Sequence, residues 1–239
     1  MTQPNAFTRR ARLAMFWFAA SLLVLTLGAS SASADTFELT SCHISTGCPP
    51  AGTAFGTVTL TQAGANVNVS VSLANGNLFI ETGSGAHEIF VFNDSVAGSV
   101  VNNITASPTP APGGLAGFTN LSPAMADGTG SWTASVECTV ASDCNGGSGP
   151  AVMNSLTFTV TNITLAQLET PTTLSAGSIF VADILCGSAQ TGCAGNTGPV
   201  DVTAPGVVPE PASMLLFGTG LVLLGARFRR KKSSNLVAA

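Results

Sequence analysis

Residues 66–73 alternate strictly between polar and apolar side chains. In an extended chain successive side chains point to opposite faces, so this pattern places valine and leucine on one face and asparagine and serine on the other. The segment is therefore predicted to be a β-strand with one buried face and one wet face.

The same period of two recurs in residues 57–61 and 157–161. Other segments are rich in β-branched or aromatic residues, which favour strands. These further strand candidates are residues 36–40, 78–81, 88–92, 99–105, 132–139 and 178–184. About nine short strands joined by glycine-rich connections predict an all-β domain, an antiparallel β-sandwich of jelly-roll type, over residues 35–206.

The connections carry their own signals. Residues 74–77 (Ala-Asn-Gly-Asn) are predicted to form a turn between two strands, because Asn-Gly tolerates positive φ. Residues 108–114 contain three prolines and two glycines, which predicts a loop. Only residues 165–169 are predicted to form a helical turn.

Charge is distributed unevenly along the chain. All eight Lys and Arg residues lie near the two ends, and all twelve Asp and Glu residues lie between them. Positive residues beside apolar stretches stay on the cytoplasmic side of a membrane. The acidic middle is therefore predicted to cross the membrane, and its lack of cations argues against nucleic-acid binding.

The amino end has the three parts of a secretory signal peptide, predicted over residues 1–34. Arg9, Arg10 and Arg12 precede an apolar stretch, and Ala32-Ser33-Ala34 fits the cleavage pattern, so that Asp35 becomes the first residue. An uncleaved anchor helix is the alternative. Arg9-Arg10 partly resembles a twin-arginine signal, but the strongly apolar stretch favours ordinary unfolded export.

The carboxyl end combines an apolar stretch with a basic cluster. Residues 212–226 would span only about 22 Å as a helix. A hydrocarbon core is about 30 Å thick, and a helix needs about 20 residues to cross it. A short transmembrane helix suited to transient membrane attachment is predicted, and a buried helix of a soluble domain is the alternative. The basic cluster that follows consists of Arg227, Arg229, Arg230, Lys231 and Lys232.

In its order of parts this end resembles a PEP-CTERM sorting signal. The motif Pro209-Glu210-Pro211, the apolar stretch and the basic cluster cover residues 207–232, and residues 233–239 form a tail. The resemblance implies processing near the motif by exosortase, an integral membrane cysteine transpeptidase, with release or transfer of the body. Members of this group commonly occur beside exopolysaccharide gene clusters, which implies a surface or biofilm-matrix role.

Six cysteines form three local pairs in the sequence. In an exported chain an even number of cysteines predicts disulfides, and the short spacings favour the pairs Cys42/Cys48, Cys138/Cys144 and Cys186/Cys193. Metal binding is the alternative, but the spacing of five intervening residues is not typical of zinc.

Catalytic motifs are scarce in the body. His87-Glu88 lacks a second histidine at the zincin position, and no G-x-S-x-G is present. His87 is interpreted as a polar residue at a strand end. The sequence therefore predicts no catalytic residue, no metal site and no cofactor.

Two binding hypotheses stay open. Loops 127–130 and 143–146 offer oxygen ligands for calcium, although neither matches a known repeat. Threonine rows at residues 57/59/61 and 157/159/161 would form a hydroxyl ladder suited to ice or sugar if their strands lay side by side. The simpler interpretation is that threonine suits the wet side of a strand.

Three classes of function follow from these observations. The first is a non-catalytic, exported surface or matrix protein associated with exopolysaccharide. The second is a carbohydrate-binding or adhesive module, for which Trp132 is the only tryptophan of the body. The third and least favoured is a secreted hydrolase. Expected partners are signal peptidase and exosortase, with exopolysaccharide as a candidate. The expected route is an inner-membrane intermediate, then the cell surface or the exterior.

Overall fold

The computed structural model describes residues 33–81, 87–94, 96–108, 114–126, 128–139, 144, 153–171 and 177–203; for 120–125 and 203 it describes the backbone alone. The predicted transmembrane helix, the sorting motif, the basic cluster and nearly all of the signal peptide lie outside these ranges. Within them, no helix combines the length and the apolar character needed to cross a bilayer.

The described chain consists almost entirely of antiparallel strands. They are β1 (Ala34–Leu39), β2 (Ser41–Cys42), β3 (Gly56–Ala63), β4 (Asn66–Leu73), β5 (Leu78–Phe79), β6 (Glu88–Phe92), β7 (Val101–Ser107), β8 (Leu115–Ala126), β9 (Gly130–Cys138), β10 (Ser155–Val160), β11 (Ser178–Leu185) and β12 (Thr197–Thr203). One helical turn, α1 (Leu165–Leu168), lies between β10 and β11. The all-β class is confirmed, and α1 lies where a helical turn was expected.

The strands form two sheets. The five-stranded sheet has the order β1-β3-β4-β10-β7, and the seven-stranded sheet has the order β2-β12-β11-β6-β9-β8, with β5 also paired to β11. Strands distant in sequence are thus neighbours in both sheets. This arrangement is sandwich-like, while the finer assignment to a jelly roll stays a prediction.

Phenylalanine side chains join the two sheets. Phe158 of β10 lies with its ring centroid 5.9 Å from that of Phe90 and 5.5 Å from that of Phe92, both on β6. Phe37 of β1 and Phe180 of β11 meet in the same way at 5.7 Å. Because rings at these distances pack edge-on or offset, they fill the layer between the sheets.

The two sheets differ in what their strands bury. In β4 buried and exposed residues alternate, as the sequence predicted, whereas β11 is buried at every position from Ser178 to Ile184. Val91, Ala126, Trp132 and Val181 form a second small apolar cluster, separate from the main core. A continuous buried run is typical of a strand covered on both faces.

The Asn-Gly turn has a different role from the hairpin that its sequence favours. Asn75 and Gly76 have positive φ, and the Asn77 N–H donates to the Ala74 carbonyl at 2.9 Å. The turn connects β4 of one sheet to β5 of the other, so it is a crossing between layers. Gly187 packs closely against this turn, because a Cβ added to Gly187 would lie 2.3 Å from the backbone of Gly76.

Candidate functional site

The solvent side of the five-stranded sheet is lined by small hydroxyl and amide side chains, and we name it the hydroxyl face. The alternation in β3, β4 and β10 sends apolar residues inward and leaves Thr, Ser and Asn outside. Cross-strand pairing then aligns these residues into rows. The central row is Thr36, Thr59, Ser70, Thr157 and Thr105, one residue from each of the five strands.

Hydrogen bonds connect several members of the rows. Oγ1 of Thr36 lies 3.2 Å from Oγ1 of Thr59, and Oγ1 of Thr105 lies 2.6 Å from Oγ1 of Thr157. In the next row, the Thr159 hydroxyl donates to Oδ1 of Asn68 at 2.9 Å. These contacts orient the hydroxyl groups without burying them, because a hydroxyl keeps further hydrogen-bonding capacity after one bond.

An open depression of about 250 Å³ lies in this face. Its polar lining comes from Thr59, Thr61, Asn68, Ser70, Asn103, Thr157 and Thr159. Asn103 reaches it because the pairing between β7 and β10 shifts between Thr157 and Thr159, and Asn103 has φ of 52°. A β-bulge of this kind redirects a side chain, which here adds an amide to the depression.

The threonine rows do not lie side by side as the ladder hypothesis required. β4 lies between β3 and β10 and inserts Asn68, Ser70 and Ser72 into the rows. Thr161 lies just beyond the end of β10, and its hydroxyl accepts a bond from the Val100 N–H at 3.1 Å. The polar face is therefore wider and more varied than two threonine strands.

His87 pairs with a carboxylate at the other sheet. Its Nδ1 lies 2.7 Å from Oε1 of Glu81, and this hydrogen bond raises the pKa of the imidazole. Glu88 lies opposite Glu137 across β6 and β9, and burial raises the pKa of Glu137 while the Ser135 hydroxyl donates to it at 2.5 Å. These residues form a local acidic group around one histidine.

A second histidine cluster was not anticipated from the sequence. Nε2 of His43 lies 3.2 Å from the Ser41 hydroxyl and 3.3 Å from Oδ1 of the fully buried Asp201, and the Ser178 hydroxyl donates to Oδ2 of Asp201. A Ser-His-Asp relay needs the serine and the aspartate on opposite ring nitrogens. Here both contact the same nitrogen, so this arrangement does not form such a relay.

Trp132 is fully buried, and its Nε1 donates to the Thr129 hydroxyl at 3.3 Å. A buried indole cannot stack on a sugar ring in solution. The described residues also contain no group of three or more His, Cys, Asp or Glu placed to hold a metal ion. Asp127 and Asp143 of the candidate calcium loops lie outside the described residues.

All six cysteines form disulfides in the predicted local pairs. The Cα–Cα distances are 5.9 Å for Cys42–Cys48, 6.2 Å for Cys138–Cys144 and 5.8 Å for Cys186–Cys193. Such distances suit a disulfide. The first and third loops touch, since a Cβ on Gly47 would lie 3.0 Å from the carbonyl oxygen of Gly192. All three bonds lie at the seven-stranded sheet, because Cys42 is in β2, Cys138 is in β9 and Cys186 directly follows β11.

The predicted signal-peptide junction is described only from Ser33 onward. β1 begins at Ala34, and the carbonyl of Ser33 accepts a bond from the Gln62 N–H at 2.9 Å. Asp35, the predicted first residue after cleavage, pairs with Leu60 inside β1. Ala32 lies outside the described residues, and the cleavage position stays a prediction.

Comparison with protein families identifies the carboxyl end. Residues 207–231 match the PEP-CTERM protein-sorting motif, which includes Pro209, Glu210 and Pro211 and most of the basic cluster. This match is consistent with an exosortase substrate and indicates an exported protein with a membrane-associated sorting signal. No curated protein and no solved structure matches the chain at a significant level.

Proposed function

We propose that this chain is a non-catalytic protein of the bacterial cell surface or extracellular matrix that associates with exopolysaccharide. The sorting motif at residues 207–231 is the observation that carries the proposal, because it directs the protein to exosortase. On this proposal the chain enters the inner membrane by its signal peptide, is held there by residues 212–232, and is then cut near Pro209–Pro211.

The disulfides and the charge of the body favour a location outside the cytoplasm. Three disulfides fit an oxidising compartment, where such bonds form and persist. The interior segment between Leu13 and Ala226 holds no lysine or arginine, so it has no cation with which to clamp phosphate or carboxylate substrates. A structural or binding role fits these properties better than transfer chemistry does.

Sorting can be tested by following the ends of the protein in its host. In a strain with active exosortase, mass spectrometry of the exported protein is expected to find Asp35 at the amino end and no residue of 212–232. Without the exosortase gene, the chain is expected to keep that segment and to stay with the membrane fraction. Intact residues 212–232 on protein from the surface of normal cells would contradict the proposal.

A matched pair of variants separates the motif from general effects of proline. Pro209→Ala with Pro211→Ala is expected to block processing, whereas Pro205→Ala, which lies just outside the matched residues, is expected to leave it unchanged. Equal processing of both variants would argue against recognition of the motif.

A carbohydrate-binding or adhesive module is the second candidate, and the hydroxyl face favours it. A secreted hydrolase is the third, and its candidate groups are His87, Glu88 and Glu137. Turnover of polysaccharide or peptide substrates by the purified protein, abolished by His87→Gln, would favour the hydrolase over the proposed role.

A further inference from the structure

We propose that the hydroxyl face binds an uncharged polysaccharide chain, seated in the depression between β3, β4 and β10. This inference rests on the proposed matrix role and gives that role a binding surface and a ligand class. The ligand is defined by its chemistry: a neutral polymer of sugar units that presents hydroxyl groups along its length.

The dimensions of the face suit a polymer. The central row crosses five strands, and four inter-strand gaps of about 4.8 Å give a length of about 19 Å. Rows on either side repeat the same kind of polar group, with Asn68 and Thr159 on one side and Ser72 and Ser155 on the other. A ligand with repeating hydroxyl groups can therefore make similar contacts at several places.

Charge narrows the ligand class. The only charged residue that the pairing places in these rows is Glu38, at the outer strand β1 opposite Thr57. An anionic polymer would find no lysine or arginine in the body of the chain to pair with. A basic peptide would find a single exposed carboxylate. A neutral polyol needs no such partner, because hydroxyl and amide groups satisfy it directly.

Free hydrogen-bonding capacity lies at the centre of the depression. The hydroxyl pairs Thr36–Thr59 and Thr105–Thr157 leave Ser70 between them, and within the described residues the Ser70 hydroxyl has no hydrogen-bond partner. Asn103 adds an amide, with its two donors and one acceptor, from the bulge in β7. The centre can therefore both donate to and accept from a sugar.

The shape of the surface distinguishes a chain from a solid. A flat array of threonines would suit a crystal plane such as that of ice. This face instead contains a depression with a volume of about 250 Å³, and asparagine and serine interrupt its threonines. A recess accommodates a strand of polymer. Since no aromatic side chain projects from the strand positions of these rows, each site is expected to bind weakly, and retention is expected to depend on repeated sites along the polymer.

The test measures retention of the full-length exported protein, whether or not its carboxyl end has been processed. Affinity electrophoresis through gels containing dextran, laminarin or alginate compares two neutral polymers with an anionic one. We expect retardation by at least one neutral polymer and none by alginate. Retardation by alginate alone, or by no polymer, would overturn the proposal.

Variants locate the binding surface. Thr157→Val with Thr159→Val removes two hydroxyl groups at nearly constant volume and is expected to weaken binding about tenfold. Thr157→Ser keeps a hydroxyl and is expected to bind nearly as the parent. Thr197→Val, at an exposed position of β12 in the other sheet, is the matched control. Equal binding by the double variant and the control would place the ligand elsewhere.

Two further measurements complete the experiment. Ser70→Ile fills the depression with a residue that favours strands, so loss of binding in this variant with an unchanged melting temperature excludes unfolding as the cause. If the protein caused thermal hysteresis of ice growth and bound no polymer, ice would be the ligand of this face, and the proposal would be overturned. Binding in a protein that exosortase does not process would contradict the sorting role and leave the hydroxyl face supported.

Discussion

The two sheets use similar residue types in opposite ways. In the five-stranded sheet, β4 buries every second residue and turns Asn68, Ser70 and Ser72 to solvent. In the seven-stranded sheet, β11 is buried from Ser178 to Ile184 and carries Asp183 among apolar neighbours. The first sheet thus has a polar face open to solvent, whereas β11 of the second sheet is buried on both of its faces. Surface for recognition is available on one sheet, and the cross-links are concentrated at the other.

The strongest test of the comparison removes a side chain that joins the sheets. Phe158→Ala is expected to lower the free energy of unfolding by about 4 kcal/mol, because it leaves a cavity beside Phe90 and Phe92. Thr159→Ala, the next residue on the exposed side, is expected to cost less than about 1 kcal/mol. Denaturant unfolding in oxidising buffer measures both. Similar losses of stability in the two variants would show that the inner face of β10 contributes no more to stability than its outer face.

The next test concerns the buried carboxylate of the seven-stranded sheet. Asp201→Ala is expected to cost about 3 kcal/mol, because it removes the buried carboxylate that accepts from the Ser178 hydroxyl and contacts Nε2 of His43. Asp201→Asn keeps one acceptor and is expected to cost less. Thermal and denaturant unfolding of the two variants give the measurement. An alanine variant as stable as the parent would show that these bonds contribute nothing net.

Disulfide removal should affect the two sheets unequally. Replacing Cys186 and Cys193 by serine opens a loop with a sequence separation of 7, for which chain entropy predicts a loss of about 2 kcal/mol. Hydrogen exchange is expected to show weaker protection in β11 and β12, with β3 and β4 nearly unchanged. Equal loss of protection in both sheets would mean that the domain opens only as a whole.

The smallest effect concerns Glu169, the residue directly after α1. Burial, and then the nearby carboxyl of Asp35, raise the pKa of Glu169 from 4.5 to about 7. The folded state then holds the proton more tightly than the unfolded state, so stability falls as the pH rises from about 4.5 through 7. After allowance for solvent screening, Glu169→Gln is expected to stabilise the protein at pH 8 by about 1 kcal/mol.

Melting temperatures at pH 5 and pH 8 check this, with Glu38→Gln at an exposed position of β1 as the control. The effect is expected in protein that carries residues ahead of Asp35. A free amino group at Asp35 would add a positive charge beside the carboxyls of Asp35 and Glu169, and this charge would reduce the expected effect. An unchanged pH dependence in the Gln variant of the extended protein would contradict the assignment.

Sequence periodicity predicted the five-stranded sheet better than the seven-stranded one. The alternation in β3, β4 and β10 is local, so it is visible in the chain. β8 was missed because Gly117 interrupts its pattern; a Cβ there would lie 2.2 Å from Cγ1 of Val101, so packing requires the glycine. β12 was missed because Gly198 and Pro199 resemble a turn, although Pro199 pairs with Asp183 inside the sheet.

The candidate site was only partly visible in the sequence, since tertiary pairing decides which residues meet. The threonine rows were recognised, but no local pattern shows that β4 inserts between β3 and β10. The bulge that directs Asn103 into the depression likewise depends on the register of β7 against β10. His43 and Asp201 are separated by 158 positions, so only the fold reveals their contact.

The end of β12 at Thr203 sets a distance limit on maturation. Only five residues lie between Thr203 and Pro209, and the six steps from one to the other reach about 20 Å in a fully extended chain. If the chain is cut near Pro209, as proposed above, a protease at the bilayer surface must approach the folded domain closely or act before β12 joins its sheet. Inserting a flexible spacer after Thr203 distinguishes these timings, because added clearance accelerates cutting only when the substrate has already folded.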